Sequence, residues 1–249
     1  AKSQAEMLNL HLPLHSVKNA TELCPYTHAL RANLFLKQAF PSTEQVSFMR
    51  VHSPHLTLFL TEFNVENASF NVTSLLDAAQ TAVQGHAPCE IRWNSDPVIH
   101  GAYAMYPIPT TKCLRSLSSQ IVRALQPYIT LPQPIPDWVK DLPLLPRLRK
   151  MYLIEKFGSP NVFGGYDAHV TVGYDEVTQP DARKVVLERA VADLHDGGRC
   201  SATLATIGVA KVGVGGSVLQ QGVVGRIELQ PQQERTIHHD IVWAKDMRY

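Results

Sequence analysis

Strand-like hydrophobic patterns follow one another directly along most of this chain, and their order limits the folds that it can adopt. Apolar residues recur at strand or helix spacing in thirteen segments. Two strands joined without a helix pair antiparallel, whereas a parallel pair needs a long crossover. The order therefore predicts an α+β fold of antiparallel sheet with helices packed against it. Strands are predicted at residues 7–14, 46–51, 55–63, 89–93, 98–106, 151–155, 168–174, 202–214 and 218–229, and helices at 27–40, 73–83, 112–128 and 180–194.

A proline-rich stretch at residues 131–146 interrupts this order. Its five prolines exclude a continuous helix and a central strand, because proline lacks the N–H that both need. We predict an ordered insertion at the surface, and one role open to it is a lid over a cleft. The rhythm of strands and helices appears on either side of it, which predicts a pseudo-repeat within one domain spanning 1–249. Residues 230–249 are predicted to form a polar C-terminal tail or strand.

Composition and charge exclude several classes of protein. With 45% hydrophobic and 18% charged residues, the chain is too apolar to be disordered and too evenly mixed to be fibrous. Its longest apolar runs fall far short of the roughly 20 residues that a membrane span needs. A net charge of +1 does not fit a protein that coats duplex DNA by releasing counterions. A small anionic ligand in a local pocket remains compatible with the sequence.

The four cysteines leave two interpretations open. They lie far apart and contain no Cys-x-x-Cys pair, so a zinc knuckle or a thioredoxin-type site is not expected. Two disulfides would allow three pairings, which the sequence does not separate. Four buried free thiols are the alternative, because unpaired cysteine is among the most buried residue types. The residues are Cys24, Cys89, Cys113 and Cys200.

Three Asn-x-Ser/Thr triplets bear on the cellular compartment in which the protein works. Three is a high number for a chain that has only eight asparagines. They begin at Asn19, Asn67 and Asn71, which are therefore candidate glycosylation sites. The sequence also starts at Ala1 rather than Met, as a processed secretory product does. We expect a secreted protein or one in the secretory-pathway lumen, with a cytoplasmic location as the alternative.

Two tetrapeptides in different parts of the chain share one pattern. His55 begins His-Leu-Thr-Leu and His169 begins His-Val-Thr-Val, each at the start of a predicted strand. Since side chains alternate along a strand, each histidine shares a face with its threonine, Thr57 or Thr171, while the aliphatic residues face a core. A pseudo-repeat that brings the two strands together would place both imidazoles around one ligand.

That arrangement suits phosphoryl chemistry without a metal. Histidine has a reference pKa of about 6.5, so it acts as a general base or a general acid near neutral pH. One imidazole would take a proton from the attacking oxygen, and the other would protonate the leaving oxygen. Each such transfer contributes about 10²- to 10⁴-fold in rate. The threonine hydroxyls would donate hydrogen bonds to the non-bridging oxygens as charge develops.

Paired His-x-Ser/Thr-x motifs are the signature of the 2H phosphoesterases, which this chain resembles. The resemblance implies a bilobal α+β fold, with two pseudo-symmetric lobes of antiparallel sheet, helices on the outer faces and a central cleft. It implies that His55 and His169 are the acid–base pair and that Thr57 and Thr171 hold the phosphate. Tyr174 matches an aromatic residue that lies near the phosphate in plant cyclic phosphodiesterases of this kind.

The implied activity is hydrolysis of 2′,3′-cyclic phosphates, or cleavage of 2′,5′-linked or short RNA oligonucleotides, by a monomer that needs no cofactor or metal. Phe163 and Tyr166 precede the second motif and are candidates for contact with a base. Trp138 could act from the insertion, and Lys156 or Arg50 could neutralise phosphate. The motif histidines are 114 positions apart, which is more than compact members are expected to have, and the proline-rich stretch is the obvious insertion.

Two other functions remain as alternatives. The first is a non-catalytic protein that uses the same cleft to bind a nucleotide or an RNA end. The second is a metallohydrolase, for which His238, His239 and Asp240 form the local cluster. Neither tetrapeptide contains the histidine and carboxylate spacing of a metal site, so the metallohydrolase fits less well.

Overall fold

A computed structural model describes residues 5–15, 23–65, 71–93, 96–192 and 200–230. In these ranges the chain forms antiparallel strands and helices, which confirms the predicted α+β class. The strands are β1 (Ala5–Pro13), β2 (His52–Ser53), β3 (His55–Asn64), β4 (Cys89–Trp93), β5 (Val98–His100), β6 (Tyr103–Pro107), β7 (His169–Tyr174), β8 (Cys200–Leu204), β9 (Thr206–Val212) and β10 (Val218–Glu228). The helices are α1 (Cys24–Ala39), α2 (Val72–Ala82), α3 (Lys112–Leu125), α4 (Asp137–Lys140), α5 (Leu144–Phe157) and α6 (Pro180–Ala192).

The sheets divide the described chain into two lobes. The first lobe has a five-stranded sheet in the order β2-β10-β9-β1-β3, against which α2 and α3 pack. The second lobe has a three-stranded sheet in the order β5-β6-β7, against which α1 and α6 pack. A two-stranded sheet pairs β4 with β8. We call the face of each large sheet that lies opposite its helices the cleft face.

A pseudo-twofold relation connects the lobes. The succession β1-α1-β3-α2-β4-β5 recurs as β6-α3-β7-α6-β8-β9. In each lobe the motif strand pairs with the first strand of its repeat, as β3 with β1 and β7 with β6. The repeats exchange helices, because α1 packs on β7 and α3 packs on β3. The predicted pseudo-repeat is present, but its boundary lies between β5 and β6 rather than at the proline-rich stretch.

Each motif strand contains a β-bulge at the same position. The ladders skip one residue three positions after the motif histidine, which is Leu58 in β3 and Val172 in β7. The carbonyls of these skipped residues are bound from the packed helix. Ser118 Oγ of α3 donates to Leu58 O at 2.7 Å, and Asn33 Nδ2 of α1 donates to Val172 O at 2.8 Å. The exchanged helices therefore satisfy buried backbone acceptors that the ladders leave unpaired.

All four cysteines form disulfides, Cys24–Cys200 and Cys89–Cys113, so the free-thiol interpretation is wrong. The two bonds obey the pseudo-twofold relation. Each joins the start of an exchanged helix, α1 or α3, to the first residue of β8 or β4. Among the described helices, none combines the length and apolar character that crossing a bilayer requires.

Two predicted strands are not strands in the structure. Residues 151–155 belong to α5, which begins within the proline-rich stretch and ends at Gly158 in the left-handed conformation with φ 66°. Pro146 is tolerated in the first turn of this helix, where no intrahelical N–H bond is needed. Residues 46–51 form no strand, and residues 48–51 form a turn in which Ser47 O accepts from the backbone N–H of Val51 at 3.1 Å and of His52 at 2.9 Å.

The remaining predicted elements differ in detail. Residues 98–106 form the hairpin β5–β6, and residues 202–214 divide into β8 and β9. The proline-rich stretch is ordered, and it contains α4 and the start of α5. Helix α2 is capped by Asn71, whose side chain accepts a hydrogen bond from Ser74 N. Residues 231–249, which make up nearly all of the predicted tail, lie outside the described ranges.

The bond from Ser118 to the bulge in β3 gives a stability prediction. We expect Ser118→Ala to lower the free energy of unfolding by about 1–3 kcal/mol, because it leaves a buried carbonyl without a donor. Ser116→Ala, at an exposed position of the same helix, should change it by less than about 0.5 kcal/mol. Urea denaturation of both variants measures the difference, and equal midpoints would contradict the role given to this bond.

Candidate active site

The motif strands lie where the two lobes meet. β3 is the edge strand of the five-stranded sheet, β7 is the edge strand of the three-stranded sheet, and the two strands contact each other. Tyr166, just before β7, donates its hydroxyl to Thr57 O of β3 at 3.1 Å. This hydrogen bond ties one motif directly to the strand that carries the other.

Both motif histidines are oriented in the same way. His55 Nδ1 lies 2.8 Å from Ser53 O, and His169 Nδ1 lies 2.9 Å from Asp167 O. A carbonyl oxygen only accepts, so in each ring Nδ1 carries the proton. The neutral rings therefore present Nε2 as an acceptor. In both motifs the histidine ring donates from Nδ1 to the backbone carbonyl two residues earlier. This is a second repeated feature, and sequence similarity alone does not show it.

The strands that pair with the motifs also match. Pro13 is opposite His55 and Pro107 is opposite His169 in the two ladders. The residue after each proline donates its backbone N–H to the carbonyl just before the motif, at 3.1 Å in the first lobe and 2.8 Å in the second. Each histidine is thus held by the same frame at the beginning of its strand.

The side chains of each motif alternate as predicted. Leu56, Leu58, Val170 and Val172 are fully buried in the core. Thr57 and Thr171 are half-buried on the opposite side of their strands, and the residue opposite Thr57 across the ladder is His11 of β1. The two threonine hydroxyls therefore lie on the cleft face, on the same side of the strand as their histidines.

The two imidazoles lie within electrostatic range of each other. Burial lowers the pKa of His55 to about 4, and the charges of His169 and His52 contribute in the same direction. Burial also lowers the pKa of His169, while Asp167 opposes that change and Lys150 and His100 reinforce it. Both rings therefore stay neutral to a lower pH than an exposed histidine does.

The surroundings of His55 are polar, although only 5% of the residue is exposed. Asn9 Nδ2 lies 3.3 Å from His55 Nε2 and 3.1 Å from Thr57 Oγ1. The His11 ring packs edge-on at 5.3 Å from the His55 ring. Neither residue of β1 was predicted to belong to the site. A signal for them is present in the sequence, because Asn9 and His11 alternate with Leu8, Leu10 and Leu12 and therefore share the face opposite these leucines.

The turn at residues 213–217 reaches both motif strands. Gly215 has a φ of 60°, and a Cβ added there would lie 2.6 Å from the Tyr174 ring. A Cβ added to Gly216 would lie 3.2 Å from Leu60. Leu60 and Tyr174 occupy equivalent positions, five residues after each motif histidine. The close approach of this turn to both strands therefore depends on glycine.

Tyr174 lies on the cleft side because the bulge in β7 restores its face. Its ring packs against Tyr103 with centroids 4.9 Å apart. Its hydroxyl donates to the carboxylate of Glu176, and this bond raises the pKa of Tyr174 to about 12. The phosphate-binding role predicted for Tyr174 would require the hydroxyl to leave Glu176.

The two candidate base-contacting aromatics are placed differently from the prediction. Tyr166 is only 6% exposed and its hydroxyl is bound to Thr57 O, so it joins the motifs instead of presenting a ring face to a base. Phe163 is half-buried and packs against Phe157 at 4.7 Å, with the Arg123 guanidinium 5.5 Å from its ring centroid. Both residues stabilise the segment that leads into β7.

A cation near the second motif was not among the predicted ones. Lys150 of α5 donates from Nζ to Asn161 Oδ1 at 2.7 Å and to Pro160 O and Gly165 O at 3.0 Å. Its Nζ lies 5.7 Å from the Trp138 ring centroid, so Trp138 borders this region. Lys156 instead pairs with Glu155 at 3.0 Å. Arg50 is exposed in the turns before β2.

Two groups of metal-ligating side chains occur among the described residues, and both contain disulfide sulfurs. A sulfur in a disulfide is not a thiolate, so these groups are not metal sites in the oxidised protein. His238, His239 and Asp240 lie outside the described residues, as do the candidate glycosylation sites Asn19 and Asn67. Asn71 is described and is exposed. The groups are Cys24, His28 and Cys200, and His86, Cys89 and Cys113.

Comparisons with known proteins do not assign the chain to a family. No protein-family model matches the chain, and no curated protein matches it. The crystal structure of TT0787 of Thermus thermophilus is similar at 11% sequence identity and a TM-score of 0.48, over 91% of this chain and 99% of that chain. The chemistry proposed below therefore rests on the site residues themselves.

The buried histidines make folding stability depend on pH. The pKa values of His11 and His55 fall from 6.5 to about 3 and about 4 on folding. Between those values the unfolded chain binds more protons than the folded one, so the free energy of unfolding decreases as the pH falls below 6.5. We expect His11→Asn to weaken this dependence, measured as urea midpoints between about pH 7 and about pH 5. His86→Asn, outside the cleft, is the control, and an unchanged slope in His11→Asn would contradict the assignment.

Proposed function

We propose that this protein is a metal-independent phosphodiesterase of the 2H phosphoesterase type. One observation carries the proposal. Two strands at the junction of the lobes repeat the same motif, the same opposing proline, the same bulge and the same Nδ1 bond to a backbone carbonyl. A structural role for the two histidines would not require this detailed repetition around both Nε2 atoms.

The reaction uses the two imidazoles on opposite sides of one phosphorus atom. One Nε2 accepts a proton from the attacking water or hydroxyl, and the other donates a proton to the leaving oxygen. The hydroxyls of Thr57 and Thr171 donate to the non-bridging oxygens as negative charge develops there. The chemistry needs no metal or cofactor, and the histidines exchange roles when the reaction runs in reverse.

The substrates that fit this chemistry are small. We propose 2′,3′-cyclic phosphates, 2′,5′-linked oligonucleotides or short RNA, acted on by a monomer. A cyclic substrate is opened by water, whereas a linear RNA is cleaved by its own neighbouring hydroxyl to give a cyclic product. The near-zero net charge supports binding of one local phosphate group rather than a long duplex.

A non-catalytic nucleotide-binding or RNA-end-binding protein is the second candidate function. The observation that favours it is the lowered pKa of both motif imidazoles, since a ring that resists protonation can accept a hydrogen bond from a ligand without taking part in proton transfer. Binding across a nucleotide panel without turnover would support this function.

We also propose that the protein works in an oxidising compartment, as a secreted or lumenal protein. The two disulfides tie the exchanged helices to β4 and β8, and cytosolic reductants would keep such thiols reduced. Asn71 is exposed at the start of α2, where an oligosaccharide would project into solvent.

The catalytic proposal predicts that both histidines are needed. We expect His55→Ala and His169→Ala each to lower the turnover of cyclic-phosphate or oligonucleotide substrates by about 10²- to 10⁴-fold, because each removes one proton transfer. Turnover is measured with EDTA present, and circular dichroism checks that each variant is folded. His86→Ala is the control outside the cleft. Near-normal turnover in either motif variant would exclude the two-histidine mechanism.

The secretory proposal predicts a glycan on Asn71. The cap of α2 uses the Asn71 oxygen, whereas a glycan is attached to its nitrogen, so both are accommodated. After expression through a secretory pathway, Thr73→Ala should remove the glycan mass from the peptide that contains Asn71. Ser74→Ala should keep the glycan while destabilising the helix by about 1 kcal/mol through loss of the capping box. An unmodified Asn71 in the unsubstituted protein would contradict the prediction.

A further inference from the structure

The pseudo-twofold relation that matches the two motifs fails at one place on the cleft face. The ladder pairs His11 with Thr57 and Asn9 with Leu60 in the first lobe. The equivalent positions in the second lobe pair Met105 with Thr171 and Tyr103 with Tyr174. Two polar side chains beside the first motif are thus replaced by a thioether and a phenol beside the second.

Asn9 is the residue that distinguishes the surroundings of the His55 imidazole from those of the His169 imidazole. It is 0% exposed, and its Nδ2 lies 3.3 Å from His55 Nε2, 3.1 Å from Thr57 Oγ1 and 3.4 Å from Gly216 O. The Gly216 carbonyl only accepts, so the amide nitrogen must be the atom on this side. Its hydrogens therefore point at the His55 nitrogen that carries no proton.

The amide oxygen of Asn9 has no hydrogen-bond partner among the described residues. A buried amide that serves structure alone has its oxygen bonded as well. Asn33 is the example, because its Oδ1 accepts from Phe48 N at 3.0 Å while its Nδ2 binds two carbonyls. Leaving a buried acceptor unpaired is destabilising. The Asn9 side chain is therefore placed so that its Nδ2 contacts His55, although this leaves its Oδ1 without a hydrogen-bond partner among the described residues.

An N–H group directed at Nε2 opposes a proton on that atom, because two donors would face each other. In the second lobe Tyr103 occupies the equivalent position, and its ring packs on Tyr174 at 4.9 Å. The surrounding charges add to this difference. His169 and His52 face His55 and both disfavour its protonation, whereas its hydrogen bond to Ser53 O favours a proton. The His11 ring also faces His55, with centroids 5.3 Å apart. His169 faces Asp167, which favours a proton, and Lys150 and His100, which oppose it.

We propose that Asn9 is a positioning residue that makes the two motif histidines unequal, holding His55 neutral as the general base and leaving His169 as the general acid. This inference rests on the proposed function. In hydrolysis of a cyclic phosphate, the water oxygen forms a bond to phosphorus and its proton passes to His55 Nε2. The P–O bond to the leaving oxygen breaks with its electron pair, and that oxygen takes the proton from His169 Nε2. The hydrogens of Asn9 then remain shared between Thr57 Oγ1 and Gly216 O.

NMR titration of the histidine rings tests the first half of the inference without any substrate. In the unsubstituted protein His55 should titrate at least about one unit below His169. Asn9→Asp should raise the His55 value by about one unit or more, because a carboxylate accepts from the imidazolium, and should change His169 less. Asn9→Ala, which only removes the donor, should give a smaller rise. Tyr103→Phe, at the equivalent position, should leave both titrations in place. Equal titrations of the two histidines, or no response of His55 to either Asn9 variant, would overturn the inference.

A substrate with sulfur in place of the leaving oxygen tests the second half. A thiolate leaves without a proton, so the general acid is not needed on this substrate. Relative to the oxygen substrate, His169→Ala should recover turnover by at least about tenfold, whereas His55→Ala should not. Recovery in His55→Ala instead would reverse the roles. Equal titrations with normal turnover would overturn this inference alone, and unequal titrations without turnover on either substrate would overturn the acid–base roles together with the proposed function.

Discussion

The β-bulge that follows each motif is the constraint on which the rest of the cleft depends. Alternation along a regular strand would turn the residue five positions after the motif histidine toward the helices. The extra residue in each strand, Leu58 or Val172, returns Leu60 and Tyr174 to the cleft face. A bulge leaves a carbonyl without a ladder partner, and in a buried strand that carbonyl needs a donor. The helix exchanged from the other repeat supplies it, so the geometry of the cleft and the exchange of helices require each other.

The same exchange explains where the disulfides lie. α1 and α3 each leave the lobe of their own first strand and pack on the opposite lobe, and α1 also contacts β8 while α3 contacts β4. The disulfides Cys24–Cys200 and Cys89–Cys113 tie the start of each exchanged helix to this separate two-stranded sheet. A chain that closes long loops in this way gains stability mainly because its unfolded state is restricted.

The sequence predicts the side chains of the candidate site better than it predicts the bulges, helices and disulfides that hold them in place. Period-two alternation placed His55 with Thr57 and His169 with Thr171, because that rule needs only neighbouring residues. The bulges and the disulfide pairing depend on contacts between distant segments, which no local pattern encodes. Residues 151–155 were predicted as a strand because a short apolar run has no distinctive period, and the helix formers from Leu144 onward decide the outcome. Asn9 is an intermediate case. The sequence shows a polar residue that alternates with leucines in β1, but it does not show that this residue contacts His55.

A symmetric scaffold poses a chemical problem that side chains must solve. Proton transfer in one turnover needs one base and one acid, so two identical imidazoles in identical surroundings would compete for the same proton. Duplication of the fold brings the rings together in matched frames, and the backbone of those frames cannot distinguish them. The distinction therefore falls to the side chains on the neighbouring strands, where β1 offers an amide and β6 offers a phenol at the same ladder position. In the proposed mechanism, symmetry in the main chain and asymmetry in one pair of strands are two parts of a single catalytic arrangement.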